Sequence, residues 1–123
     1  MTCLVAVLSS GKGTWGYLGA IIEKEPWEKV FLVTNDFGRE NFGKRVKTEK
    51  PVEFIVLNLE KTIPELIDSI VGALSGKIAD FQVALNIISG EGKEHTAVLA
   101  ALLRSGLAVR LVALDKDDKI IEL

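Results

Sequence analysis

Two glycine-rich segments of the chain combine hydroxyl groups, backbone amides and a lysine. The first is Ser9-Ser10-Gly11-Lys12-Gly13-Thr14 and the second is Ser89-Gly90-Glu91-Gly92-Lys93. Each follows an apolar run and leads into a helical pattern, so each brings together free N–H groups, the positive end of a helix dipole and an amine. Such groups bind anions, and two of these loops side by side would suit phosphates or a nucleotide. The alternative interpretation is that the glycines only permit tight strand-to-helix turns.

The elements that must position these loops are short apolar runs alternating with helical patterns. Each run is β-branched and nearly continuous in apolar residues, which is typical of a strand buried on both faces of a parallel sheet. The predicted strands are residues 3–8, 29–34, 52–57, 81–88 and 107–114, and residues 119–123 return as an antiparallel edge strand after a turn at 115–118.

Three helices are predicted between the strands. One carries Trp15, Leu18, Ile21 and Ile22 at helical spacing and stops at Pro26. A second runs from a capping box at residues 62–65 to Gly76, and a third covers residues 94–105. Residues 37–49 are polar and glycine-containing, so we expect a loop there, with a short helix at most.

This alternation predicts an α/β fold: a three-layer Rossmann-like sandwich with a mostly parallel five-stranded sheet plus the C-terminal antiparallel edge strand. From the length of the chain we expect residues 1–123 to form a single domain. Residues 96–103 are apolar nearly all round, and one face of a helix is enough to cover the sheet. We therefore expect a homodimer through helix 94–105, with coverage by neighbouring loops as the alternative.

Composition excludes several classes of function. The formal charge is −2, so no strong overall field attracts long nucleic acid or an anionic membrane. One cysteine and one histidine rule out cysteine-cluster and multi-histidine metal sites. The chain start has no basic region before a short apolar run, and no segment reaches the length of a membrane span. We expect a cytoplasmic protein without a metal or a resident cofactor.

In open parallel sheets, ligands bind beyond the carboxyl ends of the strands, where the strand order reverses. This rule selects the two glycine-rich loops and also the segment 34–39, in which Asn35 can reach a ribose or a base edge, or can cap the next segment. Gly11-x-Gly13-x-x-Gly16 with Asp36 also matches a dinucleotide fingerprint. Residues 9–14 further resemble the phosphate loop of flavodoxins, so an NAD(P)- or FMN-binding module stays an alternative.

The fourth predicted strand and its helix resemble the signature of CARF domains, the CRISPR-associated Rossmann-like sensors of cyclic oligoadenylates. Their pattern is an acidic or amide residue near the strand end, a Ser or Thr, and a Lys or Arg four residues later. Asn86, Ser89 and Lys93 supply these residue types, and an apolar small-residue helix follows at 96–103. Asn86 lies three residues before Ser89, where the usual spacing is two.

The resemblance implies a symmetric dimer that holds one cyclic oligoadenylate across its two-fold axis. It implies either a sensor or a metal-independent ring nuclease, in which a ribose 2′-hydroxyl attacks the adjacent phosphate. Lys93 or Lys12 would then stabilise the developing charge, and a hydroxyl such as that of Ser10 would orient the reacting groups. A non-catalytic structural subunit is the third alternative. The predicted ligand-binding residues are Ser9, Ser10, Gly11, Lys12, Gly13, Thr14, Asn35, Asn86, Ser89, Gly90, Glu91, Gly92 and Lys93.

Overall fold

The computed structural model describes residues 2–123, and for Lys12 it describes the backbone alone. Strands and helices alternate along this part of the chain. The strands are β1 (Leu4–Val7), β2 (Val30–Thr34), β3 (Val52–Val56), β4 (Gln82–Asn86), β5 (Ala108–Leu114) and β6 (Ile120–Glu122). The helices are α1 (Trp15–Lys24), α2 (Asp36–Arg45), α3 (Ile63–Leu74) and α4 (Gly92–Arg104), and a 3-10 turn at Lys12–Thr14 precedes α1.

The strands form one six-stranded sheet in the order β3-β2-β1-β4-β5-β6. The first five strands are parallel, and β6 pairs with β5 in antiparallel fashion, with Leu114 opposite Ile120. Leu4 of β1 lies between Val30 of β2 and Ala84 of β4. The chain therefore adds β2 and β3 on one side of β1 and then crosses to add β4 on the other side. The predicted sheet, including the antiparallel edge strand, is confirmed.

Helices cover both faces of the sheet and make the three predicted layers. On one face, alternate strand residues such as Val5 and Phe31 pack against Ile70 of α3 and Val98 of α4. On the other face, the intervening residues pack against α1, where Leu18, Ile21 and Ile22 are fully buried. Because neighbouring strand residues point to opposite faces, a strand buried on both faces needs a continuous apolar run, which is what β1 and β2 have.

Residues 37–49 were expected to form a loop with a short helix at most, and the structure instead places helix over most of the segment. Residues Asp36–Arg45 form the ten-residue helix α2. Its start is capped by Asn35, whose side-chain oxygen accepts from the N–H of Gly38 at 3.0 Å. Only Gly38 and Phe42 of the helix are buried, so its sequence lacks the apolar stripe that reveals amphipathic helices.

Among residues 2–123, each helix is too short or too polar to cross a lipid bilayer.

Candidate functional site

The two glycine-rich loops meet at the carboxyl edge of the sheet, between β1 and β4. These strands are hydrogen-bonded neighbours, and the chain continues from β1 to α1 on one face and from β4 to α4 on the other. The strand order therefore reverses here, which is the position where open α/β sheets bind ligands. The expectation that the loops at residues 9–14 and 89–93 face each other is confirmed.

Three hydroxyl groups join the loops, and we call Ser9, Thr14 and Ser89 the hydroxyl junction. Ser89 Oγ accepts from the backbone N–H of Ser9 at 2.8 Å and from Thr14 Oγ1 at 2.7 Å, and it donates to Ser9 Oγ at 2.9 Å. Ser9 Oγ in turn donates to the Gly11 carbonyl at 2.9 Å. Ser89 is 1% exposed and its hydroxyl is fully used, so it fixes the loops in place.

Two ring side chains contact the backbone carbonyls of the hydroxyl junction. Trp15 Nε1 donates to the Ser9 carbonyl at 3.0 Å, and His95 Nε2 lies 2.8 Å from the Ser89 carbonyl. Trp15 is 2% exposed and makes an edge contact with Phe42, with ring centroids 5.7 Å apart. Trp15 is thus a packing residue, and the neighbouring Tyr17 uses its hydroxyl to accept from the N–H of Leu114.

The glycines of the two loops fall into two groups. Gly90 has a φ of +93°, and a Cβ there would lie 2.5 Å from Val7 Cγ1, so the fold requires glycine at this position. At Gly13 an added Cβ would meet nothing within 4 Å, and at Gly11 it would meet only Ser9 Oγ at 3.8 Å. Gly11 and Gly13 are exposed, and neither has a positive φ. The turn therefore does not explain these two glycines, and the space above their backbone is open.

The start of α4 supplies backbone donors to the same edge. The helix begins at Gly92, two residues before the predicted start, and the amides of Gly92 and Lys93 have no hydrogen-bond partner among the described residues. The N–H of Glu91 donates to the carboxylate of Glu94 at 2.7 Å. Exposed first-turn amides with the helix dipole behind them suit an anionic group.

Lys93 points away from the hydroxyl junction towards the loop that follows β3. Its amine donates to the Leu59 carbonyl at 2.7 Å, in a half-buried position. The structure thus gives this predicted site residue a partner that sequence patterns do not reveal, because any residue type can supply a backbone carbonyl. Lys12, the other predicted lysine, has its side chain outside the described residues.

Two predicted asparagines have structural partners. Asn86 is 2% exposed, donates from Nδ2 to the Val112 carbonyl at 2.9 Å and accepts from the N–H of Ile88 at 3.2 Å. It therefore ties the end of β4 to β5. Asn35 is the N-cap of α2, as described above. The exposed residues of the predicted set are Ser10, Gly11, Gly13, Glu91 and Gly92.

A cavity of about 570 Å³ adjoins the site between the loops after β2 and β3. Its lining includes Asp36, Phe37, Asn58 and Leu59. Leu59 also holds the Lys93 amine, so the cavity and the start of α4 are neighbours. Asp36, the acidic residue of the dinucleotide fingerprint, is exposed on this side and lies 3.3 Å from the guanidinium of Arg39.

Comparison with known proteins identifies a similar fold and no sequence family. No family model and no curated protein match the sequence. Among solved structures, the chain is similar to Can2 from Sulfobacillus thermosulfidooxidans in complex with cyclic tetra-adenylate, with a TM-score of 0.57 and 17% identity. The match covers 100% of this chain and 35% of the Can2 chain, so this chain spans about a third of the length of Can2. At this identity the similarity shows a shared fold.

Proposed function

We propose that two copies of this chain bind one cyclic oligoadenylate across a two-fold axis, at the carboxyl edge of their sheets. The observation that carries the proposal is the hydroxyl junction, which holds two glycine-rich loops together where the strand order reverses. Neither loop is a free surface turn, because each is fixed to the other through the buried Ser89 hydroxyl. A single ligand can therefore contact both loops at once.

The open backbone at the junction favours a phosphate-bearing ligand. Gly11 and Gly13 are exposed and are required neither by their φ angles nor by neighbouring atoms. A glycine that the fold does not need is useful where a ligand must approach the main chain closely. The amides of Gly92 and Lys93 provide a second set of donors at the start of α4.

Two similarities support a cyclic oligoadenylate as that ligand. The segment from Asn86 to Leu103 resembles the CARF signature, in which a Ser or Thr and a Lys or Arg are four residues apart. The fold is also similar to that of Can2, whose structure was solved with cyclic tetra-adenylate. A cyclic oligonucleotide with internal symmetry suits a site built from two copies of the same loops.

The dimer would form through α4, as the apolar pattern of its sequence indicates. Leu99 and Leu103 lie one turn apart on α4 and are 39% and 60% exposed. On the α4 side of the sheet they are joined by further exposed apolar side chains of β5, β6 and the C-terminal end. We call this set the α4 patch: Leu99, Leu103, Leu111, Ile121 and Leu123. Exposed apolar surface of this kind is typical of a protein interface.

The lysines supply the charge that a ring of phosphates needs. In our proposal the Lys93 ammonium exchanges the Leu59 carbonyl for a phosphate oxygen, which replaces a neutral acceptor with an anionic one and adds an ion pair to the hydrogen bond. Lys12 lies in the loop after β1 and would contribute a second amine. Ser10 is exposed in the same loop as Lys12 and would orient a ribose or phosphate group.

Calorimetry with cyclic tetra- and hexa-adenylate tests the proposal, with no metal added. We expect one ring per two chains, and we expect Lys93→Ala and Lys12→Ala each to weaken binding by about 1.5–3 kcal/mol. Lys24→Ala is the matched control, because Lys24 is an exposed lysine at the opposite end of α1. Failure of the wild-type chain to bind either ring would overturn the proposed function.

Mass spectrometry of the same mixtures separates a sensor from a ring nuclease. Intact ring after long incubation indicates a binding protein, and linear products with a cyclic phosphate end indicate attack by the ribose 2′-hydroxyl. NAD and flavin mononucleotide belong in the same series as competitors. Binding of either one in place of the ring would favour the cofactor module that the Gly11-x-Gly13-x-x-Gly16 pattern allows.

A further inference from the structure

The hydrogen bonds of the hydroxyl junction can run in one direction only, and the Gly11 carbonyl sets that direction. A carbonyl oxygen only accepts, so Ser9 Oγ must donate its single proton to Gly11. Ser9 Oγ then has no proton for Ser89, so Ser89 Oγ is the donor between them at 2.9 Å. By the same reasoning Thr14 Oγ1 donates its proton to Ser89 Oγ at 2.7 Å.

The backbone completes this arrangement. The N–H of Ser9 donates to Ser89 Oγ at 2.8 Å, so the Ser89 hydroxyl has one donated and two accepted hydrogen bonds and no capacity left. Thr14 is the outer end of the chain of hydroxyls and is half-buried, next to exposed Gly13. The Thr14 hydroxyl proton is already donated to Ser89 Oγ. Towards a ligand, Thr14 Oγ1 therefore presents lone pairs and no proton.

We infer that Thr14 Oγ1 accepts a hydrogen bond from a ribose hydroxyl of the ligand and makes the site selective for ribonucleotides over deoxyribonucleotides; this inference rests on the proposed function. An acceptor-only oxygen repels phosphate oxygens, which also only accept, and it binds a group that can donate. In an oligonucleotide the ribose 2′-hydroxyl is the donor nearest to the phosphates, whereas the adenine amino group lies at the far edge of the base. The 2′-hydroxyl is also the group by which proteins distinguish RNA from DNA.

The site thus divides the ligand backbone between two kinds of protein group. Amides of the glycine-rich loops and the lysine amines take phosphate oxygens, and Thr14 takes the neighbouring sugar hydroxyl. Thr14 is a specificity-determining residue in this arrangement, and Ser9 and Ser89 are positioning residues that fix the direction of its proton.

Binding of cyclic tetra-adenylate and of its fully 2′-deoxy counterpart tests the inference. Two symmetric contacts are lost with the deoxy ring, so we expect the wild-type chain to prefer the ribo ring by about 5- to 100-fold through Thr14. Thr14→Val removes the acceptor at nearly constant volume, so most of this preference should disappear. Thr14→Ser keeps the hydroxyl and should keep the preference. The change in preference between variants is the readout, because it cancels differences in ring flexibility.

Ser9→Ala tests the direction of the hydrogen bonds without changing Thr14. The backbone N–H of residue 9 still donates to Ser89 Oγ, but the Ser89 proton then has only Thr14 Oγ1 as an acceptor in the junction. That reversal frees the Thr14 proton to point towards the ligand. We expect the ribo preference to shrink in Ser9→Ala, although Thr14 is still present.

The possible outcomes separate the inference from the proposed function. A ribo preference that falls in both Thr14→Val and Ser9→Ala supports the inference. Equal weakening of both rings by Thr14→Val, or an unchanged preference in Ser9→Ala, overturns it and leaves the proposed function standing. If the wild-type chain binds only the hexa-adenylate ring, the ribo and deoxy rings of that size replace the smaller pair. Thermal unfolding verifies that each variant is folded. If Thr14→Val does not fold, the ribo preference of Ser9→Ala decides the test by itself.

Discussion

At the residue scale, Ser89 is the side chain on which the site depends most. Its buried hydroxyl makes three hydrogen bonds that connect two segments 80 residues apart in sequence. Ser89→Ala leaves the Ser9 N–H and the Thr14 hydroxyl without their acceptor, so we expect the free energy of unfolding to fall by about 1–3 kcal/mol. Urea denaturation measures this loss. Ser10→Ala changes an exposed serine of the same loop and should alter stability by less than about 0.5 kcal/mol; similar values for the two variants would contradict the role given to Ser89.

The glycines give a second prediction at this scale, because one is required by the fold and another is not. Gly90→Ala adds a Cβ at 2.5 Å from Val7 Cγ1 and at a positive φ, so we expect destabilisation by about 2 kcal/mol or more. Gly13→Ala adds a Cβ in open space and should leave stability within about 0.5 kcal/mol. If ligand phosphates approach the backbone there, Gly13→Ala nevertheless weakens binding of cyclic tetra-adenylate. Unchanged binding would show that the open space at Gly13 is not part of the site.

At the element scale, α2 shows how a helix cap and a ligand contact can be told apart. Asn35 was a candidate ligand-binding residue, and its side chain accepts from the N–H of Gly38 at 3.0 Å. We expect Asn35→Ala to lower the free energy of unfolding by about 1 kcal/mol, and Asn35→Asp to restore it because aspartate caps equally well. Chemical denaturation gives the stabilities. A binding defect that Asn35→Asp repairs together with stability indicates a capping role, and a defect that persists in Asn35→Asp indicates direct contact with the ligand.

The elements that the sequence predicts correctly are those with a strong periodic or capping signal. Continuous apolar runs locate β1 and β2, and the capping box with Pro64 locates the start of α3, where Thr62 accepts from the N–H of Glu65. The length of helix α2 was underestimated because burial of Phe42 and the Asn35 cap hold it, and its sequence has no apolar stripe that would indicate a long helix. The meeting of the two loops was predictable because the carboxyl ends of parallel strands share one edge of the sheet.

The hydrogen-bond partners of individual site residues could not be predicted from the sequence. Ser89 and Lys93 were selected by their types and spacing, yet Ser89 is saturated by the hydroxyl junction and Lys93 is held by the Leu59 carbonyl. Asn86 was selected in the same way and ties β4 to β5. These partners are backbone groups or residues about 80 positions away, and no local pattern encodes such contacts.

At the scale of the whole molecule, helices cover both faces of the central strands, yet the α4 patch remains exposed on the outer side of α4 and along β5 and β6. When a partner covers apolar surface, each Å² removed from water is favourable by roughly 25 cal/mol. In the proposed function that partner is a second copy of the chain, since a two-fold axis near α4 would place two identical loop pairs around one cyclic oligoadenylate. Dimerisation and ligand binding are therefore predicted to be coupled.

Leu103→Lys tests this coupling directly. Leu103 is 60% exposed, so a lysine there costs the folded monomer little, but in the dimer it would place two charges in a desolvated interface. We expect the Leu103→Lys variant to be monomeric in sedimentation velocity. Calorimetry should then no longer show one ring bound per two chains. Phe81→Lys is the matched control, because Phe81 is 78% exposed at the amino end of β4 and lies outside the α4 patch. A Leu103→Lys variant that stays dimeric would rule out α4 as the interface, and a monomer that binds the ring with unchanged affinity would show that one copy of the two loops is sufficient.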